Sequence, residues 1–229
     1  MIKSDSSDHN LGASRNLMLT LVVICSLLIA VAFNLVLLFP EVQGGVFFFN
    51  DNVMHFLMIE TAADAIRHGR DVSDPWQRTM STGFPLFHYY QHLPHISLAL
   101  VHVLTLGAFP LVDMMRWTTY LLLSLFPLSI YWSLRRFGFG QLTGAMGGLI
   151  ASLAATNHVG SIFGGLDYAN YTFSGWGLYT QLWAMVLLPP ALALGNRVVK
   201  EGRGFFWATL FLAATLMSHL IYGYMAFLT

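Results

Sequence analysis

The sequence is poor in charged residues and in cysteine, and each shortage excludes a class of function. Only 10% of its 229 residues are charged and 56% are hydrophobic, whereas soluble domains carry about a quarter charged residues. Lys plus Arg and Asp plus Glu both number 11, so there is no basic excess for nucleic-acid binding. The single Cys25 lies in an apolar run, which excludes a disulfide framework and a thiolate metal site. These shortages favour an integral membrane protein.

The first hydrophobic run covers residues 17–39 and follows a polar stretch over residues 1–16. The run is long enough to span a bilayer. The residues at its end, Phe39-Pro40-Glu41, lack the small side chains of a signal-peptide cleavage site. We therefore predict a cytoplasmic tail over residues 1–16 and an uncleaved first span. The sequence stops within another hydrophobic run, so we expect a fragment of a longer chain.

Further apolar segments cover residues 96–112, 117–134, 143–163, 181–195 and 205–228. If all of them cross the membrane, most basic residues lie outside, against the positive-inside rule. The segment 96–112 is short and contains His102, Gly107 and Pro110; if it lies on or in the membrane without crossing, seven of the 11 basic residues are cytoplasmic. We prefer this second topology. It predicts an all-α, polytopic inner-membrane protein with about five transmembrane helices plus interfacial or re-entrant helices around the first outer loop, residues 40–95.

The first outer loop contains Asp51 and His55, which a helix would place on one face. The apolar pattern extends this helix to His68. A carboxylate at the membrane surface can act as a general base, and a neighbouring histidine can tune it or relay its proton. The alternative is that Asp51 caps the helix and His55 packs behind it.

Three histidines follow in the same loop. His88, His92 and His95 have the spacing that aligns side chains on a helix, and in that arrangement they can bind zinc. Pro94 opposes a continuous helix across this stretch, and the sequence has no nearby carboxylate to complete a strong site. We therefore expect the histidines to line a groove that faces lipid and to bind no metal.

Two further ionisable residues lie on the same predicted outer side. His219 interrupts an apolar segment, and such residues usually face a cavity or a partner. Alternatively, His219 lies at the membrane interface and donates a hydrogen bond to a backbone carbonyl. Asp167 lies in a loop rich in glycine and tyrosine, where it can bind a ligand or cap a turn.

An ordered series of short motifs runs from about residue 15 to residue 229. They are Asp51-x-x-x-His55, Gly83-Phe84-Pro85-Leu86-Phe87, Tyr89-Tyr90, Leu93-Pro94, Arg135-Arg136, Gly177 to Gln181, Leu187-Leu188-Pro189 and Leu216 to His219. The series resembles bacterial membrane proteins labelled 6-pyruvoyl-tetrahydropterin synthase-related, which in turn are similar to polytopic glycosyltransferases of the GT-C type. The label implies no pterin chemistry here, because the soluble pterin synthase has an unrelated fold and its own zinc-binding histidines.

The GT-C resemblance implies an enzyme that transfers a sugar from a polyprenyl-phosphate carrier to an acceptor on the outer side of the membrane. It assigns the catalytic base to Asp51, with His55 beside it, and implies no cofactor. Because no second acidic residue adjoins Asp51, we expect no metal ion at this site.

Six residues are expected to bind the substrate, and Arg78 among them suits the phosphate because a guanidinium matches its oxygens. They are Arg78, His88, Tyr89, Tyr90, Asp167 and His219. The expected partners are membrane lipid and the lipid-linked sugar. Two other functions stay open: a transporter or flippase for a lipid-linked substrate, and a noncatalytic assembly protein whose outer loop binds a partner.

Overall fold

A computed structural model of the chain describes residues 5–43, 51–78, 82–152 and 178–229, with side chains in the first stretch from residue 14 onward. The described residues are mostly helical. The helices are α1 (Asp5–Leu37), a 3₁₀ helix (Phe39–Val42), α2 (Asn52–Arg67), α3 (Leu93–Leu104), α4 (Leu111–Phe137), α5 (Gln141–Ser152), α6 (Tyr179–Glu201), α7 (Phe205–Ser218) and α8 (Leu220–Leu228). Two short antiparallel strands, β1 (Trp76–Gln77) and β2 (Phe84–Pro85), pair Trp76 with Pro85.

Helix α1 begins well before the apolar run that predicted it, at Asp5. Within it, Ser14–Leu37 is long and apolar enough to cross a membrane by length and composition, and so is α6 over Tyr179–Glu201. These two helices are the ones that pass this test among the described residues. Only 17% of the most apolar stretch of α1 is buried, and 33% of that of α6.

Helices α1 and α4 run antiparallel. The Asn34 side-chain amide donates to the carbonyl of Leu123 at 3.1 Å, and the Tyr120 hydroxyl donates to the carbonyl of Leu35 at 2.9 Å. The end of α1 therefore lies beside the first half of α4. Helix α3, which comes between them in the chain, has 12 residues and is about 18 Å long.

Helix α5 packs against both α1 and α4 through a close approach at Gly148. A Cβ atom at this position would lie 2.8 Å from the carbonyl oxygen of Pro127 and 3.1 Å from the side chain of Leu27. Glycine therefore allows three helices to meet where any larger residue would separate them. Helix α5 runs antiparallel to α4, since Gly144 faces Tyr131 and Gly148 faces Pro127.

Helix α6 runs parallel to α4. The Ser129 hydroxyl donates to the carbonyl of Val186 at 2.7 Å, and nearer the start of both helices Leu182 packs with Tyr120 and Leu123. The carboxyl ends of α4 and α6 therefore lie at one end of the bundle. We call this end the basic end, because it carries the basic side chains Arg135, Arg136, Arg197, Lys200 and Arg203. The opposite end, where α2 and α3 lie, we call the α2 end.

The single segment predicted over residues 205–228 is instead two helices. The backbone of His219 is extended, with φ −156° and ψ 121°, and it separates α7 from α8. A Cβ at Gly223 would lie 2.8 Å from Cα of Leu216, whereas seven residues of continuous helix separate Cα atoms by about 10.5 Å. Helix α8 therefore folds back onto α7. The prediction of one continuous helix through His219 was therefore wrong, because hydropathy alone does not reveal a turn between two apolar helices.

Candidate functional site

Asp51 stands immediately before the first residue of α2, at the N-cap position. Its backbone carbonyl accepts a hydrogen bond from the His55 amide at 3.0 Å, but its side chain makes no capping hydrogen bond. The residue is exposed. The capping bond expected under the alternative role is thus not formed, and the carboxylate faces solvent at the start of the helix.

His55, one turn further along α2, lies in the interior and pairs with His95 in the first turn of α3. His55 is 2% exposed and His95 0%. Nδ1 of His55 lies 3.0 Å from Nε2 of His95, and the rings are stacked with centroids 5.2 Å apart. At least one ring must be neutral, because an imidazolium offers no acceptor. Burial, together with the neighbouring His55, holds the pKa of His95 well below its ordinary value of 6.5.

Aromatic rings from two other segments enclose this pair. Tyr90 and Tyr179 each lie 5.8 Å from the His55 ring, measured between centroids, and the Tyr179 ring lies 6.1 Å from that of His95. The Tyr90 hydroxyl lies 3.3 Å from Oγ1 of Thr180. Burial raises the pKa of Tyr90, the bond to Thr180 lowers it, and the charge of Asp51 raises it again. Asp51 is therefore close enough for its charge to act on Tyr90, one of the rings that enclose the histidine pair.

The three histidines predicted to share a groove have different surroundings. His88 precedes α3 and lies 3.2 Å from Oδ2 of Asp74 on the surface. His92 is the N-cap residue of α3 and packs against Phe87, whereas His95 is buried against His55. Helix α3 begins at Leu93 with Pro94 in its first turn, so no continuous helix carries all three histidines, as Pro94 predicted. Among the described residues, no group of three or more potential ligands is arranged to hold a metal.

The remaining predicted substrate-binding residues are dispersed. Tyr89 is 81% exposed, with its ring edge-on to His88 at 4.5 Å. Arg78 is exposed and lines a groove on α2. His219 lies at the break between α7 and α8, with its ring 5.4 Å from that of Tyr222 and its Nδ1 buried without a hydrogen-bond partner among the described residues. Asp167 lies outside the described residues.

Glu41, a half-buried acidic residue at the α2 end, was not singled out from the sequence. Glu41 lies in the 3₁₀ helix that follows α1, and this helix packs against α4, which carries the buried Arg116. Burial raises the pKa of Glu41 to about 7, and the opposing charge of Arg116 lowers it in part. The two residues are far apart in sequence, and no local pattern links them. His95 was expected to line a groove together with His88 and His92, and Tyr179 and Thr180 were noted only within the motif Gly177 to Gln181.

Comparison of the chain with protein-family models and with curated proteins finds no match.

Proposed function

We propose that the chain carries the catalytic site of a membrane glycosyltransferase, which moves a sugar from a polyprenyl-phosphate carrier to an acceptor hydroxyl. The observation that carries the proposal is the exposed Asp51 carboxylate, which makes no capping bond and lies one helical turn before the buried pair His55–His95. The GT-C resemblance predicts a catalytic base at this position.

The surface of α1 supports a membrane location. Leu17, Leu28 and Val36 are 61%, 63% and 77% exposed and belong to a long series of exposed apolar side chains on this helix. Soluble proteins seldom expose such a continuous apolar surface, because contact with water costs free energy in proportion to its area. Hydrocarbon removes this cost.

The arrangement of charges supports an orientation. The basic end carries Arg135, Arg136, Arg197, Lys200 and Arg203, and basic residues favour the cytoplasmic side. With this end inside, the α2 end lies outside. The short length of α3, and the start of α4 beside the end of α1, support the topology in which α3 does not cross the membrane.

In the proposed reaction, the Asp51 carboxylate takes the proton of an acceptor hydroxyl as the hydroxyl oxygen attacks the anomeric carbon. A glycosidic C–O bond forms, the bond from the anomeric carbon to the phosphate oxygen breaks, and polyprenyl phosphate leaves with the electron pair. The buried pair His55–His95 holds the first turn of α2 against α3 and so positions Asp51.

The proposal is tested by incubating the full chain, in lipid nanodiscs, with polyprenyl-phosphate-linked sugars and hydroxyl acceptors. Mass spectrometry should detect the glycosylated acceptor and one equivalent of free polyprenyl phosphate. The proposal would be contradicted if neither transfer nor hydrolysis occurred with any of the donors.

The break at His219 is the one observation that favours a second function. Helices interrupted within an apolar segment are typical of transporters. The imidazole of His219 and the phenol ring of Tyr222 lie next to each other at this break. A transporter would move the lipid-linked sugar across the bilayer without releasing the carrier phosphate. Appearance of intact donor in the opposite leaflet, with no free polyprenyl phosphate, would favour it.

A further inference from the structure

A groove of about 790 Å³ lies between α2 and the β1 strand, within the size range of small-molecule sites. Its α2 wall is formed by Leu57, Glu60, Thr61 and Asp64, which recur at helical spacing. This face of α2 differs from the one that buries His55, so the groove is separate from the histidine pair.

An exposed indole forms part of the opposite wall. Trp76 is 56% exposed, although its backbone is fixed by pairing with Pro85. The indole lies directly against Gly83, where a Cβ atom would come within 2.5 Å of Nε1. The glycine therefore provides the space that this ring occupies. A flat apolar ring held at the edge of a polar groove suits a ligand that has both an apolar face and hydroxyl groups.

Asp74, also in the groove, has an unused acceptor. Its Oδ2 lies 3.2 Å from Nδ1 of His88, whereas its Oδ1 is buried and has no hydrogen-bond partner among the described residues. Buried polar atoms are rarely left unpaired. A ligand hydroxyl is a donor that would satisfy this oxygen.

The charges of the groove favour a neutral ligand over an anion. Glu60, Asp64, Asp71 and Asp74 line it together with Arg67, Arg70 and Arg78. Two of these guanidinium groups are already engaged, since Arg67 binds Nε2 of His102 at 2.5 Å and Arg70 pairs with Asp64. The carboxylates thus outnumber the guanidinium groups that are still available.

We propose that this groove binds the pyranose ring of a sugar, with the C–H face of the ring on Trp76 and a hydroxyl donating to Asp74. This binding does not require the transfer reaction at Asp51, so either proposal can fail alone.

The test is saturation-transfer NMR on the full chain in lipid nanodiscs, with the methyl pyranosides of glucose, galactose, mannose and N-acetylglucosamine as probes. Maltoside detergents must be absent, because their head groups are themselves pyranoses. At least one probe should receive saturation at its ring protons. Trp76→Ala should weaken its binding about tenfold or more, and Asp74→Asn should also weaken it.

Trp207→Ala is the matched control, since Trp207 is 55% exposed but lies at the start of α7, at the basic end. It should leave binding unchanged. Should Trp76→Ala fail to fold, Trp76→Phe keeps an aromatic ring and should bind more weakly than the wild type. The absence of saturation transfer to all four probes would overturn the proposal, and so would undiminished binding by a folded variant at Trp76.

Discussion

Nδ1 of His55 and Nε2 of His95 lie 3.0 Å apart in the interior, joining the first turns of two helices that are 40 residues apart in the chain. The pair excludes water, and burial opposes the protonation of His95. It therefore acts as a polar link that fixes α2 against α3, directly behind the exposed Asp51.

Replacing His95 should destabilise the protein far more than replacing a surface histidine. His95→Ala removes the buried partner of His55 Nδ1, and we expect the free energy of unfolding to fall by about 2 kcal/mol. His88→Ala is the control, because His88 is exposed and exposed ion pairs contribute about 0–1 kcal/mol. Thermal unfolding in nanodiscs measures both. Equal losses in the two variants would show that the buried pair does not hold the helices together.

The protonation of Glu41 should make stability depend on pH. Its pKa is about 7 in the folded protein, above the ordinary value of 4.5, so the folded state binds more protons between these values. The stability contributed by the protonated carboxyl is fully present below pH 4.5 and is lost as the pH rises through about 7. Glu41→Gln stays neutral, so its melting temperature should rise relative to that of the wild type between about pH 5 and about pH 8.

Asp113→Asn serves as the control for Glu41→Gln, because Asp113 is an exposed carboxyl in the first turn of α4. Its melting temperature relative to the wild type should change little over the same range. If the difference in melting temperature between Glu41→Gln and the wild type were the same at about pH 5 and at about pH 8, the assigned titration of Glu41 would be wrong.

The close approach at Gly148 predicts opposite effects for two glycine substitutions. Gly148→Ala would place a methyl group 2.8 Å from the carbonyl oxygen of Pro127, and such overpacking costs about 1–3 kcal/mol. Gly195→Ala introduces the same methyl group within α6, where nothing lies within 4 Å, and should raise stability by up to about 1 kcal/mol. Chemical or thermal unfolding of the two variants shows whether each substitution raises or lowers the free energy of unfolding. A neutral Gly148→Ala would contradict the packing of α5 on α4 and α1.

The proposed orientation predicts which positions are accessible from outside the cell. In a Cys25→Ala background, Asp74→Cys should react with a membrane-impermeant thiol reagent applied to intact cells. Lys200→Cys should react only after the membrane is permeabilised, because Lys200 lies at the basic end. Labelling of Lys200→Cys in intact cells would reverse the orientation.

The helices whose signals are local were predicted well. The pattern from Asp51 to His68 predicted α2, which the structure places at Asn52–Arg67. Pro94 was expected to oppose a continuous helix across His88, His92 and His95, and α3 begins only at Leu93. In each case a few neighbouring residues determine where the helix can start or end, so the sequence is sufficient.

Features that depend on distant residues were not predicted. The turn at His219 depends on the contact between Gly223 and Leu216, which hydropathy does not encode. His95 was grouped with His88 and His92 because of their spacing, yet its partner is His55. The effect of Arg116 on Glu41 joins residues from separate helices. Such contacts follow from how helices pack, and no single segment of the sequence specifies them.

The most direct test of the proposed mechanism is the single-turnover rate of sugar transfer by Asp51→Asn, measured with the full chain and a polyprenyl-phosphate-linked donor. Asparagine caps a helix about as well as aspartate does, so a capping role predicts an unchanged rate. A general base predicts a fall of about a hundredfold or more, with unchanged thermal stability and with normal transfer by the control Asp113→Asn. Transfer by Asp51→Asn at the wild-type rate would contradict the assignment of Asp51 as the base.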